Sequence, residues 1–206
     1  MYGPACTPVF QEAVIAAQLD HPHIMPVFDH GEHPPTHDGE PVLFLVMPRL
    51  AGHTHRQRLL DEISLTDALR LTLQLLDALA ALHALDVTHR DLKPENCLIT
   101  RRDGRDHLIL LDFGLAKVCG APLLSLAPRS APGALIGTPR LHLPEQARDE
   151  PITTAADLYA VGVILFELIT RRPPFLGPNA LQVLCAHACA APPSARELAP
   201  DSRGQP

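Results

Sequence analysis

No stretch of this sequence stays apolar long enough to cross a bilayer. The most hydrophobic segment, Leu158 to Ile169, runs 12 residues and contains Glu167, short of the roughly 20 apolar residues a spanning helix requires. The start, Met1-Tyr2-Gly3-Pro4-Ala5, lacks a basic segment followed by a hydrophobic run, so no signal peptide is expected. There is no basic stripe and the net charge of −6 is mild, which gives no reason to expect a nucleic-acid partner. Paired cysteines are lacking too: the five, at positions 6, 97, 119, 185 and 189, are odd in number and scattered. That pattern favours reduced thiols in a cytoplasmic domain over a disulfide framework. Cys185, His187 and Cys189 fall close together, as do His21/His23 and His53/His55, but no second cysteine pair at zinc-finger spacing accompanies them. A zinc site is therefore not expected, and buried thiols and exposed imidazoles account for them. Tryptophan is absent, while the 22 prolines cluster at loop-like places such as Pro34-Pro35, Pro173-Pro174 and Pro192-Pro193. They punctuate a globular chain, and 206 residues suffice for one domain with a core.

What is present is a series of patterned elements. Phe10 to Leu19 carries an apolar face through Val14, Ile15 and Leu19, predicting a helix that stops before His21-Pro22. Met25 to His30 and Val42 to Met47 read as strands around a polar turn from Gly31 to Glu40; the second is almost continuously apolar and is expected to be buried. Ser64-Leu65-Thr66-Asp67 has the form of a capping box, and a helix follows with a core stripe of Leu69, Leu73, Leu76, Leu79 and Leu82. Cys97-Leu98-Ile99 and Leu108 to Leu111 read as a hairpin around Arg102-Asp103-Gly104. Thr154 to Thr170 is apolar on nearly all sides, the pattern of a helix buried in the domain centre. Arg171 to Phe175 closes it, and Asn179 to Ala190 suggests another helix.

The chemistry-bearing stretch is His89-Arg90-Asp91-Leu92-Lys93-Pro94-Glu95-Asn96, complemented by Asp112-Phe113-Gly114, whose aspartate lies 21 residues after Asp91. Either tripeptide alone, Asp-Phe-Gly or His-Arg-Asp, is most often an ordinary loop. Their combination at this distance is specific. It resembles the catalytic segments of eukaryotic-like serine/threonine protein kinases of the bacterial type, and the resemblance runs from about Phe10 to Leu198. The implied fold is α+β, a two-lobe protein-kinase-like architecture. Residues 1–50 would be the remnant of the N-lobe (helix C, two strands and the hinge), without the glycine-rich loop and the first three strands. Residues 51–206 would form a mostly helical C-lobe without its last helices.

Phosphoryl transfer is mainly positioning and charge neutralisation, and the resemblance assigns residues to each task. Asp91 would orient the acceptor hydroxyl and take its proton, Lys93 would place a cation on the γ-phosphate, and Asn96 and Asp112 would supply oxygen ligands to Mg2+. Met47 would be the gatekeeper, Pro48 to Leu50 the adenine-contacting hinge and Leu98 the floor beneath adenine; Pro48 keeps the carbonyl that adenine needs and Leu50 can give the N–H. Phe113 and Gly114 complete the metal-binding tripeptide. Arg90 could grip a phosphorylated residue in the activation segment, Asp112 to Glu145, where Ser125, Ser130 and Thr138 are the hydroxyls available. Gly137-Thr138-Pro139 matches the substrate-docking segment, and Thr138 with Lys93 points to serine or threonine as acceptor. Leu143-Pro144-Glu145 stands where Ala-Pro-Glu is usual, and Leu141 where tyrosine is usual. Asp157 matches a buried aspartate that binds backbone near His89 and Arg90, and a buried carboxylate requires such partners. Glu12 matches the helix C glutamate, whose lysine partner has no counterpart here.

The expected function is therefore a serine/threonine protein kinase using ATP and Mg2+, represented by a fragment. The alternative is a pseudokinase or binding module, because nothing here would cover the phosphates or hold helix C. A truncated sheet would expose an apolar edge and call for a covering partner or a dimer. A small-molecule kinase of the same fold is a third class, but such enzymes tend to lack the Gly-Thr-Pro and Pro-Glu segment.

Overall fold

The computed structural model describes residues 19–33, 42–55, 63–111 and 153–199. Among them are five strands, β1 (Asp29–His33), β2 (Val42–Val46), β3 (His53–Thr54), β4 (Cys97–Arg102) and β5 (Arg105–Leu110), and four helices, α1 (Leu65–His83), α2 (Thr154–Thr170), α3 (Ala180–Cys189) and α4 (Ala195–Leu198), with a 3-10 turn at Pro94–Asn96. The predicted helix before Leu19 and the segment from Asp112 to Ile152 lie outside the described residues. The architecture is α+β, with a β1-β2 pair and a separate β3-β4-β5 sheet.

Asp103 and Gly104 set the register of the larger sheet. Both take positive φ, 51° and 75°, the requirement of a two-residue hairpin turn whose twist matches its strands. Arg102 then faces Arg105, and the antiparallel ladder runs back to Cys97 opposite Leu110. The alternation buries Cys97 and Ile99 with Leu108 and Leu110, and leaves Leu98 and Ile109 half-buried on the other face. The outer edge of β5 is covered: the Leu108 N–H donates to Gln74 Oε1 at 2.8 Å, and Arg70 donates to the Asp106 carbonyl at 2.6 Å. An edge so covered cannot recruit another strand.

The helix α1 begins at Ser64, whose Oγ accepts the Asp67 N–H at 3.1 Å and donates to the Asp67 carboxylate at 2.7 Å. Its core face is Ala68, Leu71, Leu75, Ala78, Leu79 and Leu82, which joins Leu108 and Leu110 of β5 and Ala160, Val161 and Ile164 of α2. The expected stripe is corrected at two positions: Leu69 is 45% and Leu73 67% exposed. Leucines occupy more than one helical face here, and the buried face is the one that also carries Ala68 and Ala78. Leu79 and Leu82 are buried as expected, and Leu76 is partly so. α2 is buried along most of its length and ends where Arg171 turns left-handed at φ 59° and returns its N–H to the Glu167 carbonyl.

Two expectations for the smaller sheet also change. β1 starts at Asp29, not Met25, because the Met25 N–H is bound to the Leu110 carbonyl at 2.9 Å and Met25 therefore sits beside β5. Gly31, expected in the turn, lies within β1 opposite Phe44, whose ring fills the space a Cβ would occupy, 2.6 Å away. The side chains described in the second half of β2 are not buried: Phe44 and Val46 are 43% and 44% exposed. An apolar run reports what a strand can bury, whereas burial depends on a second layer, and this two-stranded sheet has none among the described residues.

The two leucine faces of α1 make a direct test. Leu75→Ala should cost about 3 kcal/mol in urea unfolding, within the range for buried leucines, whereas Leu73→Ala should stay within about 0.5 kcal/mol. Equal losses would contradict the assigned face.

Candidate functional site

The end of α1 aims the chain at the motif. Asp86 adopts φ 58°, the Asp86 N–H bonds the His83 carbonyl, and the Val87 N–H reaches back to the Leu82 carbonyl at 3.1 Å. This pairing closes a helix with a left-handed residue, and the contact of buried Val87 with Leu82 in the core fixes the exit direction. The next residues are held from the other side by α2. The Asp157 carboxylate, 1% exposed, accepts the His89 N–H at 2.9 Å and the Arg90 N–H at 3.1 Å. His83 donates its Nε2–H to the same carboxylate at 2.8 Å. The buried charge thus has three donors.

Between those two amides and Asp91 the backbone is strained. Arg90 sits at φ 64°, and the Asp91 N–H closes onto the His89 carbonyl at 2.9 Å. A non-glycine residue held there costs on the order of 1–3 kcal/mol and persists only where surroundings impose it. Asp157 imposes it, and the tight turn presents Asp91 beyond the core, one-third exposed and bound by Lys93 Nζ at 2.7 Å. Asn96 is buried, and its Nδ2 donates to the Asp91 carbonyl at 2.9 Å. That orientation leaves the amide oxygen of Asn96 as a neutral ligand of the kind that a hard cation such as Mg2+ prefers.

The loop also grips the chain just before Asp112. The Leu111 N–H donates to the Asn96 carbonyl at 2.7 Å, and the Leu111 carbonyl accepts from His89 Nε2 at 3.1 Å. Since a carbonyl only accepts, His89 carries its proton on Nε2. Cys97 beside Asn96 is no nucleophile: burial, assisted by the Glu95 carboxylate, pushes its thiol from 9.0 up to about 12.

Asp91, Lys93 and Asn96 are therefore brought together, and Arg90 is joined to Asp157. Met47, Pro48 and Leu50 follow β2 on a partly exposed path, with Met47 39% and Leu50 36% exposed; none bonds to the loop among the described residues. That path continues into β3, where Thr54 faces Leu98. Asp112, Phe113, Gly114, Thr138, Glu145 and Glu12 lie outside the described residues. Three contributors escaped the sequence reading. His83 and the His89 ring act across 74 and 22 residues, and only the need to partner a buried carboxylate hinted at the former. Gly52 is the third: a Cβ there would meet the Ile99 carbonyl oxygen at 2.6 Å, and a lone glycine before a strand is a sign of such close approach.

Comparison with known proteins gives a consistent picture. Residues 4–195 match the family described as protein kinase domain. The chain is 40% identical over 184 residues to the serine/threonine-protein kinase PkaA of Streptomyces coelicolor, covering 88% of this chain and 32% of that one. It is 38% identical over 203 residues to the serine/threonine-protein kinase pkn3 of Myxococcus xanthus, covering 95% and 35%. It thus spans about a third of the length of these curated relatives. Among solved structures, the kinase domain of PknI from Mycobacterium tuberculosis is similar in fold, with a TM-score of 0.62 at 24% identity, over 91% of this chain and 62% of that one.

Removing the carboxylate tests the loop's anchor. Asp157→Ala leaves the buried His89 N–H and the part-buried Arg90 N–H without their acceptor, which should cost about 3 kcal/mol; a loss below about 1 kcal/mol in urea unfolding would show that Asp157 does not hold the turn.

Proposed function

The chain belongs to the protein kinase family, and on that premise we propose that it transfers the γ-phosphate of ATP to serine or threonine hydroxyls of a protein substrate. The observation that carries the reading is the pairing of Asp91 with Lys93 at 2.7 Å on a loop fixed at both ends by buried hydrogen bonds. Held this way, Asp91 would accept the proton of an incoming hydroxyl, and Lys93 would neutralise charge on the phosphoryl oxygens with no reorganisation at the moment of reaction. Asn96 and Asp112 would hold Mg2+, which when bound neutralises phosphate charge. Thr138 together with Lys93 would favour serine or threonine as acceptor, and Arg90 would bind a phosphorylated residue of the activation segment. Met47, Pro48, Leu50 and Leu98 would line the adenine site, with Glu12, Phe113, Gly114 and Glu145 in supporting places. In this reading residues 1–50 contribute to the smaller lobe and 51–206 to the larger.

The relatives' names support serine/threonine specificity. A cytoplasmic setting agrees with the unpaired Cys97, Cys185 and Cys189; no described helix is long and apolar enough to cross a membrane. The exposed Phe28, Phe44, Val46 and Met47 would suit a covering partner or a second copy.

Phosphate transfer from labelled ATP to a serine- or threonine-containing protein is the test. Asp91→Asn should lower the rate by about 10²–10⁴-fold, the range for losing a positioned base, with little change in unfolding free energy. A folded chain that binds Mg-ATP yet transfers no phosphate would overturn the proposal in favour of a binding module.

A further inference from the structure

The helix α3 reverses one expectation drawn from the sequence. Its histidine, His187, is buried, 5% exposed, while its two cysteines, Cys185 and Cys189, are free and exposed. The reason lies in what each face of the helix meets. His187 Nδ1 lies 2.6 Å from the hydroxyl of Tyr159 on α2, the Phe175 ring packs edge-on against the imidazole with centroids 4.8 Å apart, and Val183, one turn earlier, is buried as well. Leu181, Cys185 and Cys189 follow one another at four-residue steps on the other face, and all three are exposed. Cysteine is among the residue types most often buried. Two thiols side by side in solvent are therefore not explained by packing.

The helix sets the distance between these thiols. Residues four apart on one helical face have Cβ atoms about 5–6 Å apart, and the last turn of α3 is closed, since the Ala190 N–H bonds the Ala186 carbonyl at 2.9 Å. A disulfide draws its Cβ atoms to about 3.5–4.5 Å, so the two cysteines do not pair with each other while that turn is intact. An ion held between the sulfurs spans the wider gap, because two metal–sulfur bonds of about 2.3 Å, the length at zinc, take the place of one sulfur–sulfur bond. Ligand number then selects the ion. Zinc at a structural site takes four ligands; α3 offers two, with His187 held on the opposite face, and no group of three or more metal-ligating side chains occurs among the described residues. Thiolates are soft ligands, and the soft ion that is satisfied by two of them in a near-linear arrangement is Cu(I).

We propose that Cys185 and Cys189 form a two-coordinate site for a soft, thiophilic monovalent ion of the Cu(I) class. Binding forms two Cu–S bonds and releases the two thiol protons to solvent. Copper stays in its +1 state throughout, so the step needs neither oxidant nor reductant. The site stands on the solvent face of α3, apart from the catalytic loop, and does not depend on the proposed phosphoryl transfer.

Competition for Cu(I) against bicinchoninate, whose copper complex is coloured, tests the site on the full reduced chain without oxygen. A Cys6→Ser/Cys119→Ser variant, which keeps the α3 pair and the buried Cys97, should withdraw one Cu(I), and its copper X-ray absorption should show two sulfur neighbours. Adding Cys185→Ser or Cys189→Ser to that variant should weaken binding by about 100-fold or more, the gain expected from joining two ligands. Both positions are exposed, so the serine variants should match their parent in urea unfolding. No copper uptake by the Cys6→Ser/Cys119→Ser variant, binding unaffected by either added change, or four sulfur neighbours would overturn the site. If removing Cys6 and Cys119 unfolds the chain, the natural chain decides: Cys185→Ser/Cys189→Ser should bind one Cu(I) fewer, and equal uptake overturns the proposal.

Discussion

One buried carboxylate organises the region that carries the chemistry. Asp157 lies in an apolar, largely buried helix, where an isolated charge would be prohibitively expensive, and it is tolerated because His83 and the amides of His89 and Arg90 surround it. The arrangement is reciprocal. Those amides would otherwise be unsatisfied donors at the exit of α1, and the Arg90 turn would otherwise relax. Charge burial, amide satisfaction and backbone strain therefore offset one another in a single cluster.

From that cluster order passes outward along two short routes. One runs through the turn to Asp91, where Lys93 and the Asn96 side chain fix the carboxylate and its carbonyl. The other runs through the His89 ring and the Asn96 carbonyl to Leu111, the residue before Asp112. Both routes are hydrogen bonds anchored in the core shared by α1, α2 and the hairpin. Groups set in place by such a shell need no rearrangement when a substrate arrives, which is the condition under which electrostatic stabilisation contributes most.

Much of this was legible in the sequence because the relevant signals were local. Asp103-Gly104 announced its turn and Ser64 its helix start, each through chemistry confined to a few residues. The α+β kinase architecture followed from the family resemblance that the His89 and Asp112 motifs carry, and the family match and the fold neighbour support it. What was illegible depended on partners distant in the chain. Leu69 and Leu73 were misassigned because a leucine-rich helix offers several apolar faces and the choice belongs to α2 and β5. β2 was expected to be buried because its composition permits burial, but composition does not supply a covering layer. Met25 left its expected strand because β5 offered its backbone a better partner. The anchoring hydrogen bonds of His83 and the His89 ring had no local signature.

Native-state hydrogen exchange at the His89 and Arg90 amides tests the central claim most directly. If the Asp157 carboxylate holds both, they should exchange as slowly as core amides of α2 such as Ile164, since freeing them requires opening the α1–α2 core. Exchange at the rate of the exposed hairpin turn at Gly104 would contradict the account, because it would mean that the turn presenting Asp91 is not fastened to the buried carboxylate.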